Sequence, residues 1–157
     1  MIAGWRLLKE KLLGEAFNGE GARIYGGRWN NKGTAVVYIS GSLSLAALET
    51  FVHLGFETSK IKFSSIMVII PDEVKIREVN IKSLPYDWRD EPSPESTKSI
   101  GSEWAKKMET VVLRVPSVII PTEFNYVLNP LHPDFRKLTI GKPNTFSFDS
   151  RMWKESK

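Results

Sequence analysis

The sequence has no cysteine, so disulfide staples, thiolate nucleophiles and cysteine-bound metals are excluded. Histidine is nearly absent: His53 and His132 lie far apart in the chain, and a zinc site is not expected. Long apolar runs are missing. None approaches the roughly 20 residues of a membrane span. Met1-Ile2-Ala3-Gly4 gives way at once to Trp5, Arg6, Lys9, Glu10 and Lys11, so the first thirty residues hold no apolar signal core. A soluble, cytoplasmic protein without a membrane partner is expected. The chain also lacks a nucleophile elbow, a Walker loop and the G-x-G-x-x-G spacing, so any dinucleotide site must be of a non-Rossmann kind. Internal repeats and low-complexity tracts are absent as well.

What is present suits a single α+β domain over residues 1–157, long enough to bury a core unaided. Hydrophobic residues make up 41% and charged residues 25%, as in an ordinary globular protein. The net charge of +4 could attract nucleic acid, a dinucleotide or an acidic partner. Lys and Arg form no single run, however, which favours plain solvated surface charge.

Residues 34–39 read as a short buried strand entered by the turn at Asn30-Asn31-Lys32-Gly33. A helix is expected over 43–54, capped by Ser42 or Ser44 and ended by Gly55. Residues 62–70 end in an apolar run stopped by Pro71, as a central strand does. Residues 74–81 alternate like a half-buried strand. Residues 85–99, with Pro85, Pro92 and Pro94, read as a surface loop, and 96–109 as a helix carrying Trp104. Further strands are predicted at 111–115, 117–120, 124–128 and 146–148. Strands dominate without a βαβ rhythm, so the sheet should be mixed or mostly antiparallel.

Three clusters can carry chemistry. Residues 19–30 pack Gly19, Gly21, Gly26, Gly27, Arg23, Arg28, Tyr25 and Trp29 into one short segment. Glycines let backbone N–H groups approach an anion, and arginine offers a planar fork that matches phosphate. The alternative is a Gly-rich hairpin with a buried Trp and solvated arginines. Tyr38, mid-strand, is either a sheet tyrosine with a bonded hydroxyl or a flat face for a ring. Glu49 falls between Leu45 and Val52 at the edge of an apolar helix face, where a carboxylate needs a partner or serves a site. It could also simply point to water. His53, one turn on, reads as packing or as a hydrogen bond behind the site. The third cluster, Arg114-Val115-Pro116-Ser117 with Asn125 to Pro130, suits either ligand contacts or ordinary turn chemistry.

In this order the residues resemble the RES domain family, named for its Arg, Glu and Ser. The resemblance rests on Gly26-Gly27-Arg28-Trp29-Asn30, Val37-Tyr38, Ala46-Ala47-Leu48-Glu49, Leu84-Pro85-Tyr86-Asp87-Trp88 and Gly101-Ser102-Glu103-Trp104. It continues through Arg114-Val115-Pro116-Ser117, Asn125-Tyr126, Asn129-Pro130-Leu131-His132-Pro133-Asp134-Phe135 and Phe146-Ser147-Phe148-Asp149-Ser150-Arg151, nearly the whole chain. It implies a fold similar to ADP-ribosyltransferase toxins. It implies NAD⁺ as substrate, cleaved at the nicotinamide–ribose bond by hydrolysis or by phosphorolysis with inorganic phosphate as co-substrate, and no further cofactor. Carried over by motif, Arg28, Tyr38 and Glu49 are catalytic. Arg28, Tyr38 and Ser117 bind substrate; Arg23, in the same loop as Arg28 but outside the motif, is read as assisting with phosphate. The family context is a type II toxin–antitoxin pair whose antitoxin carries a helix-turn-helix part and a segment blocking the active site. DNA contact would then belong to the antitoxin, and a homo-oligomer stays open. The resemblance also admits an ADP-ribosyltransferase that modifies a cellular protein. A basic nucleic-acid-binding module, of a different class, is disfavoured because no helix-turn-helix or RNP pattern is present.

Overall fold

The computed structural model describes residues 1–55 and 60–153. Its elements are β1 (Ile2–Lys9), α1 (Glu20–Tyr25), β2 (Val37–Ser40), α2 (Leu43–Phe51), β3 (Phe63–Ile70), β4 (Ile76–Glu78), α3 (Glu95–Lys106), β5 (Val112–Pro116), β6 (Phe124–Leu128), β7 (Thr139–Ile140) and β8 (Asn144–Phe146), with short 3-10 turns between them. The strands form one sheet in the order β4-β5-β6-β2-β1-β3-β7, with β8 also pairing β3. Every pairing is antiparallel except β4–β5. The fold is therefore α+β on a mixed, mostly antiparallel sheet, as expected.

The alternation of β2 shows how the sheet divides the core. Val37 and Ile39 face one apolar cluster with Val68, Ile70, Val112, Tyr126 and Leu128. Tyr38 points the other way, against Trp29, Trp104, Leu113, Val115 and Val127. Helix α2 begins where Ser42 Oγ accepts the Leu45 N–H at 3.1 Å, which satisfies one of the free amides of its first turn. Its buried Ala46 packs with Leu7 of β1 and Phe63 of β3. That seating turns the Glu49 side of the helix toward the sheet.

Several sequence expectations need correction. Strand β1 was not foreseen, although it pairs with β3 along its whole length. Its register comes from a partner some sixty residues away, which no local pattern reveals. The strand expected at 34–39 begins only at Val37, and α2 stops at Phe51, short of Gly55. The strand expected at 74–81 shrinks to Ile76–Glu78. The predicted strand at 117–120 does not form. Ser117 Oγ instead accepts the N–H groups of Ile119 and Ile120, both at 3.1 Å, and bends the chain. The last strand sits at Asn144–Phe146 rather than 146–148. A βαβ unit exists after all, since α3 lies between the parallel strands β4 and β5. No helix among the described residues is long and apolar enough to cross a membrane.

Candidate active site

One cleft of about 650 Å³ opens between β1, β2, α1, α2 and the loop preceding α3. Arg6, Arg28, Tyr38, Glu49, His53 and Asn125 all line it. Three strands converge to hold the carboxylate of Glu49. Ser40 on β2 lies opposite Asn125 on β6, and Asn125 lies opposite Val115 on β5. Ser40 Oγ donates to Asn125 Oδ1 at 2.6 Å, which turns the Asn125 amide so that its Nδ2 donates to Glu49 Oε1 at 2.7 Å. Ser117, just past β5, donates its hydroxyl to the same Oε1 at 2.6 Å. One carboxylate oxygen is thus anchored twice. No protein group among the described residues bonds Oε2, so that oxygen is left for a ligand.

Ser117 is fully buried, and its hydroxyl is committed to Glu49 and two backbone amides. Its hydroxyl is turned to Glu49, and Ser117 is not among the residues lining the cleft, where the family resemblance implied a substrate contact. Neither Asn125 nor Ser40 was singled out for this network. Asn125 stood in the right cluster as a polar residue of a strand, but only the strand register brings it to Glu49.

Tyr38 presents its ring to the cleft and hides its hydroxyl. The hydroxyl donates to Asn30 Oδ1 at 2.6 Å and accepts from the Trp29 N–H at 3.1 Å. Burial pushes its pKa well above the ordinary tyrosine value, so it stays a neutral phenol. Asn30 is itself fully buried and ties Ala22, Asn31 and Thr34 together through its Nδ2. A Cβ at Gly27 would lie 2.7 Å from the Tyr38 hydroxyl oxygen and 2.9 Å from Asn30 Oδ1, so any side chain there has to displace that bonded pair. The glycine-rich segment is thus a framework around Tyr38, with Trp29 buried as the hairpin alternative supposed.

Its two arginines part company. Arg23 does not line the cleft. It is turned outward and paired with Glu20, Nη2 to Oε2 at 2.7 Å, three residues earlier on α1. Arg28 lines the cleft and is largely covered, bonding the backbone of residues 88–90 and the Glu91 carboxylate. The supposed surface loop around Pro92 is therefore one wall of the site. His53 is exposed at the cleft, and among the described residues its side chain has no hydrogen bond of the kind supposed.

Arg6 is the charged residue that sequence reasoning passed over. It donates only to carbonyls, Ala16 O at 3.1 Å and Tyr38 O at 3.2 Å, and no carboxylate among the described residues pairs with it. Desolvation lowers its pKa to about 10, so it remains a cation at neutral pH, held in the cleft wall at an energetic cost. A half-buried guanidinium that donates only to carbonyls among the described residues suits an anionic ligand. The sequence hint was an arginine inside an otherwise apolar strand.

Known proteins are similar to this chain in sequence and in fold. The chain is 38% identical to Toxin Res of Yersinia enterocolitica, covering 94% of this chain and 97% of that protein. It is 40% identical to Toxin Res of Photorhabdus laumondii, covering 98% of each. It is 39% identical to the Prs ADP-ribosylating toxin of a Sphingobium species, covering 94% of each. The fold is similar to that in the crystal structure of the M. tuberculosis MbcT–MbcA toxin–antitoxin complex, with a TM-score of 0.75 at 15% identity over 93% of this chain and 84% of that one. The RES domain model matches residues 3–149, which include every cleft residue described above, and this chain belongs to the RES domain family.

Proposed function

We propose that this chain is the toxin of a toxin–antitoxin pair and that it cleaves the nicotinamide–ribose bond of NAD⁺ in the cytoplasm. The observation that carries the reading is Glu49: one oxygen clamped by Ser117 and Asn125, the other unbonded among the described residues, in a cleft that also holds a tyrosine ring and two arginines. Cleavage sends the bonding electron pair to the nicotinamide ring nitrogen and leaves a cationic, oxocarbenium-like ribose. A fixed carboxylate stabilises that charge and accepts a hydrogen bond from a ribose hydroxyl without reorganising. It also orients the attacking oxygen, whose proton passes to solvent. Tyr38 supplies a face for the nicotinamide. Arg6 and Arg28 supply charge for the diphosphate. With water the products are nicotinamide and ADP-ribose, and with phosphate the ribose keeps a new phosphate ester.

The names of the relatives and the toxin–antitoxin context of the structural neighbour support the toxin role and an antitoxin partner, which on this reading blocks the cleft. A second reading, transfer of ADP-ribose to a cellular protein, is favoured by the relative named as an ADP-ribosylating toxin. One experiment separates these outcomes. Purified protein is incubated with labelled NAD⁺, with and without phosphate and with a cell extract, and the products are resolved. Release of nicotinamide with free ADP-ribose or its phosphate ester supports degradation. Label confined to a protein band supports transfer, and NAD⁺ left intact under all conditions refutes both.

A further inference from the structure

Arg28 does not offer an empty fork. A guanidinium has five N–H groups. Here Nη1 donates to the carbonyls of Trp88 and Asp90, each at 2.9 Å, and Nη2 is paired with the Glu91 carboxylate. These partners differ in how readily they can be exchanged. The two carbonyls belong to backbone held by its own turns, Trp88 N to Pro85 O and Asp90 N to Asp87 O, and Trp88 packs into the core beside Trp29 and Trp104. The Glu91 side chain is 69% exposed, against 11% for Arg28, and has no other partner among the described residues. It lines the cleft. Arg6, by contrast, pairs with no carboxylate among the described residues.

We propose that Glu91 is a specificity-determining competitor for Arg28, its carboxylate holding the guanidinium edge that a phosphate oxygen of the ligand takes on entry. The identity of that ligand rests on the NAD⁺ reading, whereas the competition itself does not. Carboxylate and phosphate oxygens make the same charge-assisted hydrogen bond to a guanidinium, so one replaces the other without leaving Arg28 unpaired. An exposed carboxylate returns to water at little cost. A ligand without phosphate gains nothing by displacing it and meets a closed pair. Affinity for the anionic ligand is reduced by the fraction of molecules in which Glu91 is bound. The phosphate oxygen can come from the dinucleotide's diphosphate or from free phosphate.

Glu91→Gln keeps the shape and removes the charge, at a site exposed enough to leave folding intact. Calorimetric titration of the full chain with inorganic pyrophosphate, and separately with orthophosphate, reads the competition directly. Pyrophosphate should bind Glu91→Gln about threefold to tenfold tighter than wild type, with KM for NAD⁺ falling in the same direction. A gain with pyrophosphate alone assigns the position to the diphosphate, and an equal gain with orthophosphate assigns it to the free anion. Glu15→Gln removes the same charge from the same cleft without touching Arg28, and should give a much smaller gain. Weaker or unchanged pyrophosphate binding by Glu91→Gln would make Glu91 a brace for the loop and overturn the proposal. So would an equal gain in Glu15→Gln, or no binding by any of the three proteins. If NAD⁺ is never cleaved, the proposed function fails while the pyrophosphate result still decides this one.

Discussion

The Ser117 hydroxyl stands 2.6 Å from Glu49 Oε1 across 68 residues of sequence, and it is the shorter of the two bonds that anchor that oxygen. Its geometry separates orientation from binding. Ser117→Ala should lower kcat for nicotinamide release about tenfold to a hundredfold, the range seen when a group that orients an active-site ligand is lost, while KM moves little. The amides of Ile119 and Ile120 lose their acceptor too, so urea unfolding should show a loss of about 1–3 kcal/mol. A folded Ser117→Ala protein with unchanged kcat would remove Ser117 from any role in placing Glu49.

Local signals carried much of this architecture. Ser42 as a cap, the apolar run ending at Ile70 and the helix-edge position of Glu49 depend on neighbours within a turn or two, and they were legible. What was hidden depends on distant partners. Arg28 has the composition of a phosphate ligand, but its bonds go to residues 88–91, which looked like an isolated loop. Val118, Ile119 and Ile120 have strand-like side chains, yet the Ser117 hydroxyl captures their backbone and bends it. Asn125 and Ser40 meet only because β6 pairs β2 in one register. Arg6 went unnoticed because the strand that carries it is defined by β3.

Helix α3 rests directly on the backbone of the Arg28 segment. A Cβ on Gly101 would lie 1.8 Å from the Trp29 carbonyl oxygen, a distance that neither helix nor loop can absorb without moving. The neighbouring Ser102 hydroxyl donates to Asn31 Oδ1 at 2.7 Å and accepts the Asn31 N–H at 2.9 Å, fixing the same contact. Gly101→Ala should therefore destabilise by about 3 kcal/mol or more, at the upper end for overpacking, and raise KM by displacing Arg28. Denaturant titration checks the first effect and steady-state kinetics the second. A stability change below about 1 kcal/mol would mean that α3 does not bear on Trp29.

Tyr38→Phe keeps the ring and deletes the hydroxyl, leaving Asn30 Oδ1 and the Trp29 N–H unpaired in the interior. Stability should fall by about 2–3 kcal/mol. The rate should fall far less than in Tyr38→Ala, which also loses the stacking face. The pH dependence follows from the phenol's raised pKa, caused first by burial. An unfolded tyrosine loses its proton near pH 10, whereas folded Tyr38 holds it to higher pH. Its contribution to stability is complete below about pH 10 and declines as pH rises further. Urea midpoints measured between pH 7 and 11 should fall more steeply for wild type than for Tyr38→Phe, and parallel curves would contradict the buried, bonded phenol.

Arg6 sets stability against activity. Burial lowers its pKa to about 10, so above that pH the unfolded chain binds more protons than the folded one, and stability rises with pH there. At pH 7 the full cost of burying the charge is present. Arg6→Met removes that cost but leaves the Ala16 and Tyr38 carbonyls without their donor. These effects oppose each other, so the melting temperature should hold or rise. If Arg6 binds phosphate as proposed, activity should still drop, by about tenfold to a hundredfold in kcat/KM, with the loss of that charge-assisted bond. Arg6→Lys should recover part of that loss, since it keeps the charge and gives up the fork. If Arg6→Met loses stability and activity in step, the guanidinium is a strut between β1 and β2. If it loses activity alone, the charge is kept in the cleft for a ligand.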